Sequence, residues 1–310
     1  MTESAPRSGV LVVDKAAGIT SFDVVALVRR RLRPRRVGHA GTLDPGAVGV
    51  LPVLIGEATK LMPYLQDMDK EYLATLRFGV RTDTLDLDGR VIATSPVPPL
   101  DRDVLIRITR AFVGRIKQVP PMYSALHHEG RRLYELARRG LEVVRAPREV
   151  MVHAITVEEV VPPTAMLRIV CGKGTYVRTL AADLGEAVGC GAAIERLVRS
   201  RVGPFGLGEA VASSEISGAV ADALWRRVLP PEATLAGWPV IRLDAPAALR
   251  FLQGQAAEVM PPLGRSGRFV AVHAAEGGFF GVGELMADGG RVRPARILHA
   301  DRPGPRVLPA

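Results

Sequence analysis

Apolar and polar positions along the chain follow two periods, and the switches between them mark out its elements. Residues 9–14 are an almost unbroken apolar run, predicting a short buried strand closed by Lys15, Ala16, Ala17 and Gly18. Val24, Val25, Leu27, Val28 and Leu32 then fall on one helical face, with Thr20 or Ser21 as N-cap and Pro34 as the stop. Alternation of Tyr72, Ala74, Leu76 and Phe78 predicts a strand over 70–80, followed by a polar turn at 83–89. A proline-rich stretch at 96–101 precedes a helix over 102–112. Leu133, Leu136 and Ala137 give the inward face of a short basic helix between Gly130 and Gly140. Residues 165–170 read as a strand, and Val177, Leu180, Ala181, Leu184 and Val188 as the buried stripe of a helix after a glycine turn. Pro230, Pro231, Gly237, Trp238 and Pro239 mark a boundary. Beyond it, residues 269–273, 278–285 and 291–298 predict a small β-rich domain.

Composition narrows the partners. A chain of 310 residues suffices for one large domain and a small one, and 47% apolar with 24% charged residues is ordinary for a globular protein. The net charge of +9 is not, and it favours nucleic acid or another anionic surface. No apolar run approaches the roughly 18 residues that span a bilayer. The polar first nine residues lack a signal peptide's apolar core, so a cytoplasmic protein without membrane partners is expected. Cys171 and Cys190 stand at no zinc spacing and are expected as buried thiols. Six scattered histidines suggest no metal cluster.

The chemistry concentrates at 37–51. Asp44 precedes Pro45, which forces it out of the helical region, and Gly41, Gly46 and Gly49 leave room for a bulky ligand. Arginines at 29, 30, 31, 33, 35 and 36 stand directly ahead, where phosphates would be met. A lone carboxylate beside positive charge suggests a nucleophile serving a polyanionic substrate. Two other motifs fail. Gly172-Lys173-Gly174-Thr175 lacks the upstream glycine and the hydroxyl residue after lysine that a nucleotide loop needs. Asp86-Leu87-Asp88-Gly89 lacks a glutamate at the twelfth position of a calcium loop. In the 130–140 helix, arginines interleave with Tyr134, the mixture expected where RNA is gripped.

Taken in order, several motifs carry a resemblance: residues 9–15 (Gly-Val-Leu-Val-Val-Asp-Lys), Gly38-His39-Ala40-Gly41-Thr42-Leu43-Asp44-Pro45, Gly56-Glu57-Ala58-Thr59-Lys60 and Lys70-Glu71-Tyr72. They continue with Arg81-Thr82-Asp83-Thr84 leading to Asp86, Asp88 and Gly89, then Pro121-Met122-Tyr123-Ser124-Ala125 and Lys173-Gly174-Thr175-Tyr176-Val177-Arg178-Thr179. Over about residues 9–205 the chain resembles the bacterial TruB family of tRNA pseudouridine-55 synthases. Ala16 stands where that family usually has Pro, and Val48 where it has Thr.

The resemblance implies an α+β pseudouridine synthase fold, a mixed and largely antiparallel sheet with flanking helices. It divides the chain into a disordered 1–8, a catalytic domain over 9–236 with an RNA-binding insertion at about 120–140, and a PUA-like RNA-binding domain over 240–310. It implies isomerisation of uridine-55 in the tRNA T arm by a monomer without cofactor or metal. Asp44 would be the nucleophile, Arg178 its ion-pair partner, and Tyr72 would stack on the flipped uracil. Tyr176 would pack on sugar or base, Leu197 would close the pocket, and His39 would fill the space the flipped base leaves. Lys15, Lys60, Arg131, Arg132 and Arg138 would serve the RNA backbone. Two alternatives remain at this level: a tRNA-binding or folding chaperone without essential catalysis, and a guide-RNA-dependent synthase.

Overall fold

A computed structural model describes residues 8–124, 126–128, 130–259, 268–287 and 289–298. The expected disorder of the N-terminus and the chain past 298 fall outside these residues.

Ten strands build the larger sheet: β1 (Gly9–Lys15), β2 (Val37–His39), β3 (Val48–Ile55), β4 (Lys70–Phe78), β5 (Gly114–Gln118), β6 (Arg148–Val161), β7 (Thr164–Cys171), β8 (Ala192–Val202), β9 (Phe205–Gly206) and β10 (Val211–Ala212). Their order is β10-β1-β3-β8-β4-β7-β6-β5, with β2 on β3 and β9 on β8. Only β1–β10 and β3–β8 are parallel, so the sheet is mixed and largely antiparallel, as expected. The continuous apolar run of β1 reflects burial on both faces, whereas β4 alternates buried and half-buried positions.

Helix α1 (Ser21–Leu32) packs on this sheet. Thr20 caps it in a reciprocal box with Asp23, and Arg33 ends it in the left-handed region at φ 53° before Pro34. Helices α2 (Met62–Asp67) and α3 (Arg102–Thr109) follow, then α4 (Leu133–Arg138) and α5 (Val177–Val188). Two sequence expectations shift here. The 102–112 helix tightens to a 3₁₀ turn after Thr109. Arg131 and Arg132 lie ahead of the basic helix, in a two-residue strand paired with His127–His128.

The C-terminal part forms a second sheet of β11 (Val240–Leu243), β12 (Ala257–Glu258), β13 (Phe269–Ala274), β14 (Phe279–Leu285) and β15 (Arg291–Ile297), in the order β11-β13-β14-β15-β12. It also holds a helix the sequence reading omitted, α6 (Ala245–Leu252), whose start Asp244 caps by accepting from Ala247 N. The two sheets share apolar contacts. Tyr64 meets Trp238 edge-on at 5.5 Å, Trp238 stacks on Phe269 at 6.3 Å, and Val282 and Leu298 join the cluster containing Val10 and Leu54. Among the described residues no helix is long and apolar enough to cross a membrane.

Candidate active site

Asp44 sits on the loop between β2 and β3, and donors from several elements hold that loop. Ser21, at the start of α1, both donates to Leu43 O (3.1 Å) and accepts from Leu43 N (2.8 Å). Lys15 Nζ and Gly18 N both donate to Pro45 O, at 3.0 and 2.9 Å. Arg199 on β8 donates to the carbonyls of Gly41 and Thr42. The backbone is therefore fixed on either side of Asp44 while its carboxylate stays 42% exposed.

Arg178 stands in the first turn of α5, as the glycine turn ahead of it predicts, and from there it reaches that carboxylate, the partner the resemblance implies. Its side chain is 6% exposed, and each nitrogen has a partner. Nε lies 2.9 Å from Asp44 Oδ2, Nη1 donates to Thr84 O at 2.6 Å, and Nη2 to Tyr123 O at 2.7 Å. A second carboxylate, Asp86, stands 3.8 Å from Nε and accepts from the Thr84 hydroxyl. Burial pushes the Asp86 carboxyl up, with Arg178 opposing the shift. The sequence reading took 83–89 as a plain polar turn. The turn is there, and it also delivers Thr84 O and Asp86 to Arg178, a meeting that nothing local in the sequence signals.

Asp44, Tyr72, Tyr176, Arg178, Leu197 and Arg199 line one cavity of about 260 Å³. The β4–β8 pairing sets Tyr72 opposite Arg199 and Ala74 opposite Leu197, which brings these side chains to one face. Burial pushes the Tyr72 phenol up, so it is a weaker acid here than in water and keeps its proton. Gln118 holds Tyr176 through reciprocal bonds to its N–H and carbonyl, at 3.0 and 3.2 Å. Burial also raises the Tyr176 phenol.

Other expected residues stand elsewhere or face differently. Lys15 is fully buried and donates to the carbonyls of Ala16, Ile19 and Pro45, so it braces the loop and does not meet phosphate. Lys60 is turned inward to Glu57 and to Ile297 O of β15. His39 ends β2, outside the lining of the Asp44 cavity; burial, reinforced by the Arg199 charge, pushes its imidazole down. Arg131 and Arg132 are exposed, with Arg132 placed 6.0 Å from the centroid of Tyr134, while the Arg138 side chain lies outside the described residues. Gly41 lines the cavity, as expected, whereas Gly46 and Gly49 differ from expectation. A Cβ at Gly46 would overlap the Asp88 carboxylate and one at Gly49 the Arg199 carbonyl, so these glycines admit protein, not ligand. Cys171 and Cys190 are buried free thiols, and burial pushes Cys171 up to about 11. Among the described residues no group of His, Cys, Asp and Glu is arranged to hold a metal.

Three family models match successive parts of the chain. Residues 29–177 match the TruB family pseudouridylate synthase N-terminal domain, 178–236 the tRNA pseudouridylate synthase B C-terminal domain, and 239–298 the pseudouridine synthase II TruB C-terminal domain. The chain is 43% identical over 293 residues to tRNA pseudouridine synthase B of Nitrosococcus oceani, covering 94% of each chain. It is 48% identical over 255 residues to the protein of that name from Symbiobacterium thermophilum, covering 81% of this chain and 83% of that one. Among solved structures it is similar to a chain in a Cbf5-Nop10-Gar1 complex, with TM-score 0.68 and 26% identity over 90% of this chain and 78% of that one. The chain belongs to the TruB family of pseudouridylate synthases.

Proposed function

We propose that this protein isomerises uridine-55 in the tRNA T loop to pseudouridine, with Asp44 as nucleophile on a flipped-out nucleotide. Family membership makes the chain a tRNA pseudouridine synthase, an isomerase. The finer reading rests on one observation: a half-exposed carboxylate held by a buried, fully engaged guanidinium at a cavity walled by Tyr72.

The reaction moves uracil from an N1–C1′ to a C5–C1′ bond. No atoms or electrons enter from outside, so the chemistry needs no cofactor. It needs a group that attacks and later leaves, and a carboxylate does both. In one route Asp44 attacks C1′ and uracil departs as an anion. The base turns, C5 displaces the sugar ester, the C5 proton is lost and N1 gains one. In the other route Asp44 adds to C6, the N1–C1′ bond breaks, the base turns and C5 bonds to C1′; Asp44 is then expelled from C6 as the C5 proton is lost, N1 having gained one. A T-loop uridine must leave its stack to reach Asp44, at a cost of a few kcal/mol. Stacking on Tyr72, worth about 1–3 kcal/mol, offsets that cost. Tyr176 and Leu197 bound the remaining space, and Arg178 fixes the direction of the carboxylate.

A binding protein alone would have no use for the Asp44–Arg178 pair. The site assignment is tested with tRNA transcripts carrying [5-³H]uridine, since isomerisation expels the C5 hydrogen. Label is expected from the normal transcript and not from one with cytidine at position 55; equal release from both would overturn it.

A further inference from the structure

Arg199 is 1% exposed, and three backbone carbonyls accept from its guanidinium. Nε donates to Val50 O at 2.8 Å, Nη1 to Thr42 O at 3.3 Å and Nη2 to Gly41 O at 2.9 Å. Among the described residues no carboxylate forms an ion pair with it. A buried charge without a counter-ion is costly, and a long apolar side chain would fill the same volume without that cost. What an apolar chain lacks is the forked donor. One planar guanidinium here ties the start of the Asp44 loop to β3, the strand into which that loop runs.

The backbone is shaped to allow this. Gly49 pairs with Arg199 across the parallel β3–β8 contact at φ +105°, and a Cβ there would overlap the Arg199 carbonyl. Gly41, at φ +88°, turns its carbonyl toward the guanidinium. On its other side Arg199 stands opposite Tyr72 in the β4–β8 register, and both line the cavity with Asp44. Its positive charge also counters the upward push of burial on the Tyr72 phenol.

We infer that Arg199 is a positioning residue for the reaction, fixing the Asp44 loop through Gly41 and Thr42 against the strand pair that carries Tyr72. This rests on Asp44 being the nucleophile. With 1% exposure Arg199 lies within the cavity wall, and its role is to set the distance between the attacking oxygen and the stacked base. Displacing a reacting group by about 1 Å costs on the order of 100-fold in rate.

The test is single-turnover tritium release by the full chain in excess over tRNA, for Arg199→Lys and Arg199→Met beside Asp44→Asn. Each trace yields an amplitude, which counts competent enzyme, and a rate, which reports geometry. Arg199→Lys keeps the charge with one donor centre and serves where the methionine variant yields too little folded protein. The expected result is a rate lowered about 10-fold for lysine and about 100-fold for methionine, at wild-type amplitude and with tRNA affinity within threefold. Loss confined to amplitude, or a lysine-variant rate within twofold of wild type while Asp44→Asn is silent, would overturn the role of Arg199 alone. Wild-type release by Asp44→Asn would overturn the nucleophile assignment, and the Arg199 role with it.

Discussion

Arg178 and Asp44 form an unequal pair: their contact is 2.9 Å, yet 6% of the arginine side chain is exposed against 42% of the aspartate. The buried partner is locked by Thr84 O and Tyr123 O, and the exposed one is free to meet a ligand.

Removing the guanidinium would leave two carboxylates, Asp44 and Asp86, around an empty buried space. Breaking a buried pair costs about 3–5 kcal/mol, and the exposure of Asp44 places this one at the lower end. Arg178→Ala is expected to lower the unfolding free energy by about 3 kcal/mol and to abolish isomerisation. Denaturant melts beside turnover assays check both, and an unchanged melt would contradict the buried-charge argument.

Lys15 gives a pH signature. Burial pushes its ammonium down to about 8, although the Asp44 charge opposes this. The charged form is therefore penalised in the folded protein and not in the unfolded chain. Below about pH 8 the penalty is whole; it fades as pH rises toward 10.5 and is gone above it, where both states are neutral. The stability of wild type relative to Lys15→Met should accordingly increase between pH 8 and 10.5. Urea unfolding at stepped pH measures this, and a flat difference would refute it.

The exposed Arg131 and Arg132 predict an electrostatic contribution to tRNA affinity. Replacing both with Ala should reduce the slope of log affinity against log salt by about 1–2, because fewer counterions are released. An unchanged slope would remove this segment from the RNA interface.

Where one strand or helix carries the information, the sequence is a sufficient guide. The alternation through Tyr72 and Phe78 marks β4, and the stripe from Val177 to Val188 marks α5 with Arg178 in its first turn. Asp44 was legible because its turn chemistry and neighbouring charge are local. Asp86 and Arg199 were not, because their importance arises from pairing. Asp86 meets Arg178 only through tertiary folding, and Arg199 faces Tyr72 only through the β4–β8 register. For Lys15 the resemblance left phosphate or structure open, and only the fold reveals the three carbonyls around it. Helix α6 escaped because its apolar face is short, though Asp244 ahead of Pro246 is a usable start signal.

The central claim is that the Asp44 carboxylate performs the chemistry while the rest of the site binds and orients. The most direct test compares wild type with Asp44→Asn for tritium release from [5-³H]uridine tRNA and for tRNA affinity in the same preparation. The account predicts release by wild type, none by the variant, and affinities within a few-fold of each other. Turnover by Asp44→Asn, or a loss of binding as large as the loss of activity, would contradict it.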